Sequence, residues 1–240
     1  GHPGPETCGL ACAKMAEFVL GREGDVAAVV AEPMRAVPVV PPEGYWQAVA
    51  ASTRAHRTLL IRDEIPTGLG KTGRIFAHDH HDISPDMIVL GKALGGGVLP
   101  IAAVVVRADL DVAGDFAIGH YTHEKNPVTA RAALTTLDII EDEGLCDRAA
   151  RLGTAAMDRL RDSLDGLSCV KDIRGRGLMF GVEIDTADRA ERILYSCFAE
   201  GLSFKISAGN VLTLSPPLTI PEPDLASALS IVETAVKDAA

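Results

Sequence analysis

The chain has 240 residues, of which 47% are hydrophobic and 23% are charged, and its formal net charge is −10. This composition is typical of a packed globular protein with one large domain or two modest ones. The excess of negative charge argues against nucleic acid or an anionic membrane as a partner. The longest apolar runs are too short to cross a bilayer, and the N-terminal residues do not resemble a signal peptide.

The five cysteines are scattered and form no Cys-x-x-Cys pair, which fits a reducing, cytoplasmic location. Cys8 and Cys12 are four residues apart, so we expect both on one face of a helix as small core residues. The chain has no initiating Met and begins with the loop-like residues Gly-His-Pro-Gly. We therefore expect its natural N-terminal part to be missing.

The first half of the chain alternates helical patterns with continuous apolar runs. A helix is predicted over residues 5–20, with an apolar stripe formed by Leu10, Met15 and Phe18. A second helix is predicted over residues 42–57, which begin with Pro-Pro-Glu. Apolar runs of this kind are typical of parallel strands buried on both faces, and they cover residues 25–31, 59–62, 87–90 and 101–106. The order strand, helix, strand predicts right-handed crossovers and an α/β sheet.

The second half has a different pattern. Residues 127 to about 165 are helical, with a break at 143–144, and the rest alternates short strands with two helices. The strands are predicted over 170–174, 178–184, 203–206 and 211–214, and the helices over 187–200 and 222–239. We therefore expect residues 1–155 to form an incomplete large domain and residues 156–240 to form a small α+β domain.

Three charged residues follow predicted strands: Glu32, Asp63 and Lys92. Each one alone is typical of a solvated loop charge. In open α/β sheets, however, functional groups gather beyond the carboxyl ends of the strands. Three such residues in one half of the chain therefore favour a shared site.

Lys92 follows a buried strand and precedes a run of three glycines, 95–97. Partial desolvation lowers the pKa of such a lysine and makes its amine nucleophilic, while glycines let a bulky ligand approach the backbone. The structural alternative is a lysine that extends from a strand end into solvent, followed by a glycine turn. Asp63 supplies a carboxylate that could hold a ring nitrogen protonated, as in the lysine and aspartate pattern of pyridoxal 5′-phosphate (PLP) enzymes.

Three stretches together resemble the signature of class III aminotransferases, which are PLP enzymes of fold type I. They are residues 63–73 (Asp-Glu-Ile-Pro-Thr-Gly-Leu-Gly-Lys-Thr-Gly), 85–86 (Pro-Asp) and 91–97 (Gly-Lys-Ala-Leu-Gly-Gly-Gly). The resemblance extends from Glu32-Pro33 to Pro216-Pro217-Leu218. It implies a mostly parallel sheet in the large domain and a small C-terminal α+β domain.

The resemblance also implies roles for individual residues. Lys92 would be the Schiff-base lysine, Asp63 the partner of the pyridine nitrogen, and Ile65 an apolar residue packed against the cofactor ring. Thr122, before Asn126-Pro127, matches the threonine that reaches a phosphate in the neighbouring subunit, which implies a homodimer with shared sites. The implied reaction is transfer of an amino group from an amine to a carbonyl acceptor, with the Lys92 amine as the base.

The chain departs from the family pattern at three places. Pro66 occupies the position of a glutamine that touches the cofactor, and proline has no N–H to donate. Residues 35–38 (Arg-Ala-Val-Pro) replace the usual glutamine and glycines. Thr213 aligns with an arginine that grips the substrate carboxylate, a bidentate contact that threonine cannot make. Arg35 could replace that arginine, with Glu32 nearby as a further substrate contact.

These departures favour a substrate other than an ordinary α-amino acid, such as an amine with a phosphate or phosphonate tail. The polar stretch 120–126 (His-Tyr-Thr-His-Glu-Lys-Asn) could help to select it. A lyase that eliminates ammonia or phosphate is therefore an alternative to a transaminase. The family's glycine-serine phosphate loop is absent from the sequence, so a non-catalytic remnant and a plain binding module are two further hypotheses. The cluster His78, His80 and His81 lacks matching ligands, and we predict no metal site.

Overall fold

The computed structural model describes residues 8–116, 119 and 122–240. The predicted start of the first helix, at residue 5, lies outside them. The chain divides into two compact units. The first contains the chain up to Pro33, Pro41–Leu69 and Phe76–Ile139, and the second contains Met34–Val40, Gly70–Ile75 and Ile140–Ala240. The domain boundary expected after residue 155 stays a prediction.

The first unit contains a four-stranded sheet in the order β1-β2-β3-β4. Its strands are β1 (Ala28–Ala31), β2 (Leu59–Asp63), β3 (Met87–Leu90) and β4 (Ala103–Val106). β1 and β2 are parallel, β2 and β3 are parallel, and β4 runs antiparallel to β3. The predicted α/β fold with a mostly parallel sheet is confirmed.

The prediction was wrong for the last of the four strands. The run 101–106 was expected to be parallel and buried on both faces, but β4 is antiparallel, and Val104 and Val105 are 58% and 50% exposed. Among the described residues, β4 comes last in the sheet order and pairs with β3. An antiparallel strand in an otherwise parallel sheet is common, and apolar composition alone does not report strand direction.

Two helices pack together against this sheet, α1 (Ala11–Glu23) and α2 (Tyr45–Ala55). α2 also contacts β2, and the two helices share a hydrophobic core with this strand. The core residues are Ala13, Trp46, Val49, Ala50 and Leu60. A third helix, α3 (Pro127–Asp142), follows later in the chain.

The predicted apolar stripe of α1 was wrong. Met15 and Phe18 are 61% and 65% exposed, whereas Ala13 and Leu20 are buried. Ala13 and Leu20 are seven residues apart and share one helix face, while Met15 and Phe18 lie on the opposite side. The small Ala13 allows α1 to approach α2 closely. The cysteine prediction was also wrong, because Cys12 is exposed and Cys8 is only half-buried.

The second unit is a small α+β structure, as predicted. Its antiparallel sheet has the order β5-β6-β8-β7, and three helices accompany it. The elements are α4 (Leu145–Leu164), β5 (Val170–Arg176), β6 (Met179–Ile184), α5 (Ala187–Ala199), β7 (Lys205–Ser207), β8 (Val211–Leu214) and α6 (Glu222–Asp238). The side chains between sheet and helices are fully buried, among them Leu160, Phe180, Val182, Ile193 and Leu212. Among the described residues, no helix has the length and apolar character needed to span a membrane.

Candidate active site

Charged residues lie at or just after the carboxyl ends of three strands of the first unit, on one side of the sheet. Because β1, β2 and β3 are parallel, their carboxyl ends meet there. Ala31 pairs with Arg62, so Glu32 and Asp63 come next at the same edge. Asp63 in turn pairs with Val89, three residues before Lys92. The parallel register therefore brings the three predicted charged residues to one edge, as their positions after apolar runs indicated.

Ile65 packs beside the lysine. Its two γ carbons lie 3.5 Å from the position that a Cβ on Gly91 would occupy. Gly91 immediately precedes Lys92, whose φ of 41° is in the left-handed region and whose side chain is exposed. Lys92 starts a short 3₁₀ turn, Lys92–Gly95, so the chain leaves β3 sharply at this residue.

Asp63 and Lys92 both keep polar atoms available for a ligand. The Asp63 carboxylate accepts a hydrogen bond from the Ile65 N–H at 3.0 Å through Oδ1. Its other oxygen accepts none from the described part of the chain, and the Lys92 amine there has no hydrogen bond or ion pair. The bond to Ile65 holds the carboxylate against its own turn, which orients the free oxygen.

A buried carboxylate lies under this turn, and sequence reasoning missed it. Glu64 is 1% exposed. Its Oε1 accepts hydrogen bonds from the backbone N–H and the Nδ1 of His78, both at 2.9 Å, and its Oε2 accepts one from Thr67 Oγ1 at 2.7 Å. Burial by itself raises the pKa of Glu64, but the hydrogen bonds from His78 and Thr67 outweigh it and hold that pKa below its ordinary value. The only sequence signal was the local spacing of Glu64 and Thr67.

His78 has a structural environment. Its ring stacks on Phe76, with centroids 5.4 Å apart and planes 8° from parallel, and it is 5% exposed. Its Nδ1 is committed to Glu64. Among the described residues, no three His, Cys, Asp or Glu side chains are placed to hold a metal ion.

A buried arginine lies against Trp46, the residue that holds the segment after β1. Arg62 is fully buried, and its guanidinium carbon lies 3.4 Å from the centroid of the Trp46 ring. Trp46 Nε1 donates a hydrogen bond to the Pro33 carbonyl at 2.7 Å, directly after Glu32. Burial lowers the pKa of Arg62 to about 10, against the attraction of the Glu64 carboxylate. Within residues 8–116, 119 and 122–240, the guanidinium nitrogens have no hydrogen-bond acceptor, so the Trp46 ring face is their main contact.

Thr213, which the resemblance aligns with a carboxylate-binding arginine, lies on β8. Thr213 is 4% exposed there, and its hydroxyl donates to the Val211 carbonyl at 3.3 Å. Its cross-strand neighbours are Gly181 on β6 and Lys205 on β7. Thr213 therefore satisfies its hydroxyl locally and contributes no positive charge.

Lys71 reinforces the segment that follows β8. Its Nζ donates to the Pro216 carbonyl and, at 3.4 Å, to the Ser215 carbonyl. Burial lowers the pKa of Lys71 to about 8. This motif lysine therefore ties residues 70–75 to the end of β8 within the second unit.

Two further predicted site residues lie on exposed segments. Arg35 is exposed in the second unit, in a short hairpin closed by an antiparallel bridge to Val39. Thr122 is exposed in a turn before α3, and no hydrogen bond or ion pair joins it to Asp63 or Lys92 in the described ranges. His120 and Tyr121 lie outside the described residues. The proposed roles of Arg35 and Thr122 stay predictions.

The model of the aminotransferase class-III family matches residues 6–236. The chain belongs to this family. Three curated relatives are similar over most of its length. The (R)-1-hydroxy-2-aminoethylphosphonate ammonia-lyase of Vibrio splendidus is 39% identical over 98% of this chain. The leucine/methionine racemase of Thermococcus litoralis is 41% identical over 89%, and the ornithine aminotransferase of Bacillus subtilis is 40% identical over 90%.

Solved structures of class III enzymes have the same fold. The ornithine aminotransferase of Toxoplasma gondii, crystallised with partial occupancy of PLP at its active site, has a TM-score of 0.89 and 36% identity over 95% of this chain. An aminotransferase of Bacillus anthracis has a TM-score of 0.88 and 30% identity. The alignments cover 50–53% of the three curated relatives and 54% of the Toxoplasma enzyme, so this chain spans about half of their length.

The residues at the sheet edge fit PLP, which is the cofactor of class III aminotransferases. An exposed lysine amine next to a side-chain-free glycine suits an aldehyde that must approach the backbone. A carboxylate with one unengaged oxygen suits a protonated ring nitrogen. The apolar Ile65, which lies against Gly91 and donates its N–H to Asp63, suits the face of a flat ring.

Proposed function

We propose that this chain is the cofactor-bearing part of a PLP-dependent enzyme that acts on a primary amine and transfers its amino group to a carbonyl acceptor. The observation that carries the proposal is the parallel register of β2 and β3, which sets Asp63 and Lys92 at one sheet edge with Ile65 against Gly91. When bound, PLP supplies an electron sink for the carbon that carries the substrate nitrogen.

The chain's own residues have three tasks in this proposal. Lys92 would hold the cofactor through its side-chain amine, and the same amine would act as the base that takes the proton from the substrate carbon that bears the nitrogen. Asp63 keeps the ring nitrogen protonated through its free carboxylate oxygen. Ile65 packs on the ring and excludes water from one face. Positioned base catalysis of this kind contributes about 10²–10⁴-fold to a rate.

Covalent labelling tests the role of Lys92. The full-length protein, loaded with PLP and reduced with borohydride, is digested and its peptides are analysed by mass spectrometry. We expect the cofactor on Lys92, loss of the label and of turnover in Lys92→Ala, and no change in Lys14→Ala, which removes another exposed lysine of the first unit. Label on a different side chain, or none at all, would contradict the proposal.

The second candidate is release of ammonia from an amine with a phosphonate or phosphate tail. Thr213 favours it, because a buried threonine bonded to Val211 offers nothing to a substrate carboxylate. The similarity to the Vibrio ammonia-lyase covers 98% of the chain. For 2-amino-1-hydroxyethylphosphonate, a hydroxyl leaves as water, one water is taken up, and the products are ammonium and phosphonoacetaldehyde.

Arg35, an exposed guanidinium, stays the predicted contact for the anionic tail of such a substrate, and Glu32 stays a further predicted substrate contact. The polar stretch 120–126 stays the predicted selector of such a substrate. A guanidinium suits a phosphonate because it donates two parallel hydrogen bonds.

A turnover assay separates the two reactions. The full-length enzyme is given 2-amino-1-hydroxyethylphosphonate with and without an α-keto acid, and ammonium and aldehyde are both measured. Transfer requires the keto acid for more than one turnover and releases no ammonium. Elimination yields one ammonium for each aldehyde without any acceptor. A protein that binds PLP but performs neither reaction on any amine would be a non-catalytic remnant.

Two further expectations concern the oligomeric state and the location of the protein. A homodimer with shared sites would explain why Thr122 is exposed, since its expected partner is a phosphate held by the neighbouring subunit. Sedimentation of the full-length protein tests the dimer. Free, scattered cysteines favour a cytoplasmic location.

A further inference from the structure

The turn after β2 closes on Glu64. The Glu64 carbonyl accepts the N–H of Thr67 at 3.3 Å and the N–H of Gly68 at 2.9 Å. The Glu64 N–H donates to the Val89 carbonyl on β3 at 3.0 Å. The Thr67 hydroxyl bonds the Glu64 carboxylate. Because both backbone groups and the side chain of Glu64 are engaged, the position of this residue decides the path of the turn.

A histidine on another segment holds the Glu64 side chain. The backbone N–H and the Nδ1 of His78 both donate to Glu64 Oε1 at 2.9 Å. Glu64 and His78 are 1% and 5% exposed, so these bonds are shielded from water. Hydrogen bonds to a carboxylate are stronger than those between neutral groups. Two such donors from one residue therefore fix both the place and the direction of the carboxylate.

His78 has a rigid environment of its own. Its ring stacks on Phe76 with nearly parallel planes. It belongs to the 3₁₀ turn Ala77–His81, and the carbonyl of the last residue in that turn accepts a hydrogen bond from Gln47 Nε2 at 2.7 Å. Gln47 lies on α2. His78 is therefore a fixed support for the turn after β2.

The same turn supplies the hydrogen bond that orients Asp63. Ile65, the residue after Glu64, donates its N–H to Asp63 Oδ1 at 3.0 Å. In the described part of the chain, no other hydrogen bond reaches this carboxylate. The terminal torsion of an aspartate is broad unless a partner restrains it. A shift of Glu64 would therefore move the Ile65 N–H and, with it, the direction of the free Asp63 oxygen.

We propose that His78 is a positioning residue for the cofactor: through the Glu64 carboxylate it fixes the turn after β2, and so directs the free oxygen of Asp63 at the ring nitrogen of PLP. This inference rests on the proposed role of Asp63. The residues that carry it all belong to the first unit. His78 acts only through Glu64 in this arrangement, because it is buried and its Nδ1 is bonded to that carboxylate.

The test compares PLP with its deaza analogue, in which a carbon replaces the ring nitrogen while the aldehyde and the phosphate are kept. The full-length enzyme is freed of cofactor, and the Kd of each compound is measured by absorbance titration. Only PLP can use the Asp63 carboxylate, so the ratio of the two Kd values isolates this contact. We expect the parent enzyme to prefer PLP by tenfold or more, which is what one hydrogen bond between charged groups contributes.

His78→Phe keeps an aromatic ring on Phe76 but removes the Nδ1 donor. We expect it to reduce the preference for PLP by about tenfold, because the Asp63 carboxylate is no longer held in one direction. The Kd of the deaza analogue should stay close to that of the parent enzyme. If His78→Phe does not fold, Thr67→Val replaces it, since it removes the donor to the other oxygen of Glu64 and should change the preference in the same direction.

A rescue variant and a matched control accompany these changes. His78→Asn offers an amide N–H near the place of Nδ1, so it should retain most of the preference for PLP. Thr58→Val is the control, because Thr58 is 5% exposed and its hydroxyl donates to the Val26 carbonyl at 2.9 Å, just before β2. It removes one side-chain hydrogen bond of a buried residue from the first unit and should leave the preference unchanged.

The outcomes distinguish this inference from the function on which it rests. If Asp63→Asn leaves the preference for PLP intact, the assignment of Asp63 fails and the inference fails with it. If Asp63→Asn abolishes the preference while His78→Phe and Thr67→Val preserve it, only the positioning role is overturned. An equal loss of affinity for both compounds in His78→Phe would show a general structural role and would also overturn it, as would a preference that His78→Asn does not restore.

Discussion

Glu64 and His78 form a buried pair beneath the turn that presents Asp63, with Nδ1 of His78 2.9 Å from Oε1 of Glu64. The same carboxylate oxygen accepts the His78 backbone N–H. This contact joins Glu64, the residue after Asp63, to a residue 14 positions further along the chain. The turn after β2 is therefore held by His78, a residue of a different segment.

Removal of the Glu64 carboxylate should destabilise the fold. Glu64→Ala leaves the Thr67 hydroxyl and two His78 N–H groups unsatisfied in a buried site, and we expect a loss of about 2–4 kcal/mol in the free energy of unfolding. Glu64→Gln retains acceptors and should lose less. Urea unfolding monitored by circular dichroism measures both. The exposed Glu43→Ala is the control and should change little; an equal effect at both positions would refute the argument.

The charge of Asp63 should matter more than its shape. Asp63→Asn keeps an oxygen for the Ile65 N–H but no longer stabilises a protonated ring nitrogen. We expect kcat/KM of the full-length enzyme to fall on the order of 10²-fold or more, with an unchanged unfolding midpoint, by analogy with the loss of one preorganised electrostatic contact. Steady-state kinetics with the preferred amine decides it. Activity within about threefold of the parent enzyme, below the effect of such a contact, would rule out this role.

Lys71 should make stability depend on pH in the alkaline range. Its pKa is lowered from 10.5 to about 8 by burial, so the folded state binds fewer protons than the unfolded state between these values. Stability from this group therefore rises as pH increases from about 8 towards 10.5 and is lost as pH falls through about 8. Lys71→Met should flatten that part of the profile of unfolding free energy against pH.

Lys171→Met provides the matched comparison for Lys71. The Lys171 amine also donates to a backbone carbonyl, that of Ser168 at 2.8 Å, but it is exposed. Its removal should leave the slope between about pH 8 and 10.5 as it is. The interpretation fails if both variants flatten the profile equally, or if neither does.

Two helical glycines should respond oppositely to alanine. A Cβ on Gly153 in α4 would lie 1.9 Å from the Gly177 carbonyl oxygen, whereas one on Gly21 in α1 would make ordinary contact with His56 at 3.5 Å. Gly153→Ala should therefore destabilise the protein by about 1–3 kcal/mol through overpacking. Gly21→Ala should stabilise it by roughly 0.5–1 kcal/mol through helix propensity. Thermal and urea unfolding measure both, and changes of the same sign would contradict the packing argument.

Local sequence patterns were sufficient to predict the strands of the first unit and the family. The apolar runs before Asp63 and before Gly91-Lys92 predicted two strands. The motif around these residues indicated the family to which the chain belongs. Short segments carry this information, because burial on both faces and glycine runs are properties of neighbouring residues. The roles of all the site residues remain predictions, those of Lys92 and Asp63 as well as those of Ile65, Thr122, Arg35 and Glu32.

Contacts between distant segments became known only from the three-dimensional arrangement of the chain. It gave β4 its antiparallel direction, turned Met15 and Phe18 of α1 away from the core, and joined Glu64 to His78. It also fastened the hairpin at Pro38 to Arg174, more than a hundred residues along the chain. Periodicity reports which face of an element is apolar, but a hydrogen bond between segments depends on how those segments pack, which no short stretch of sequence contains.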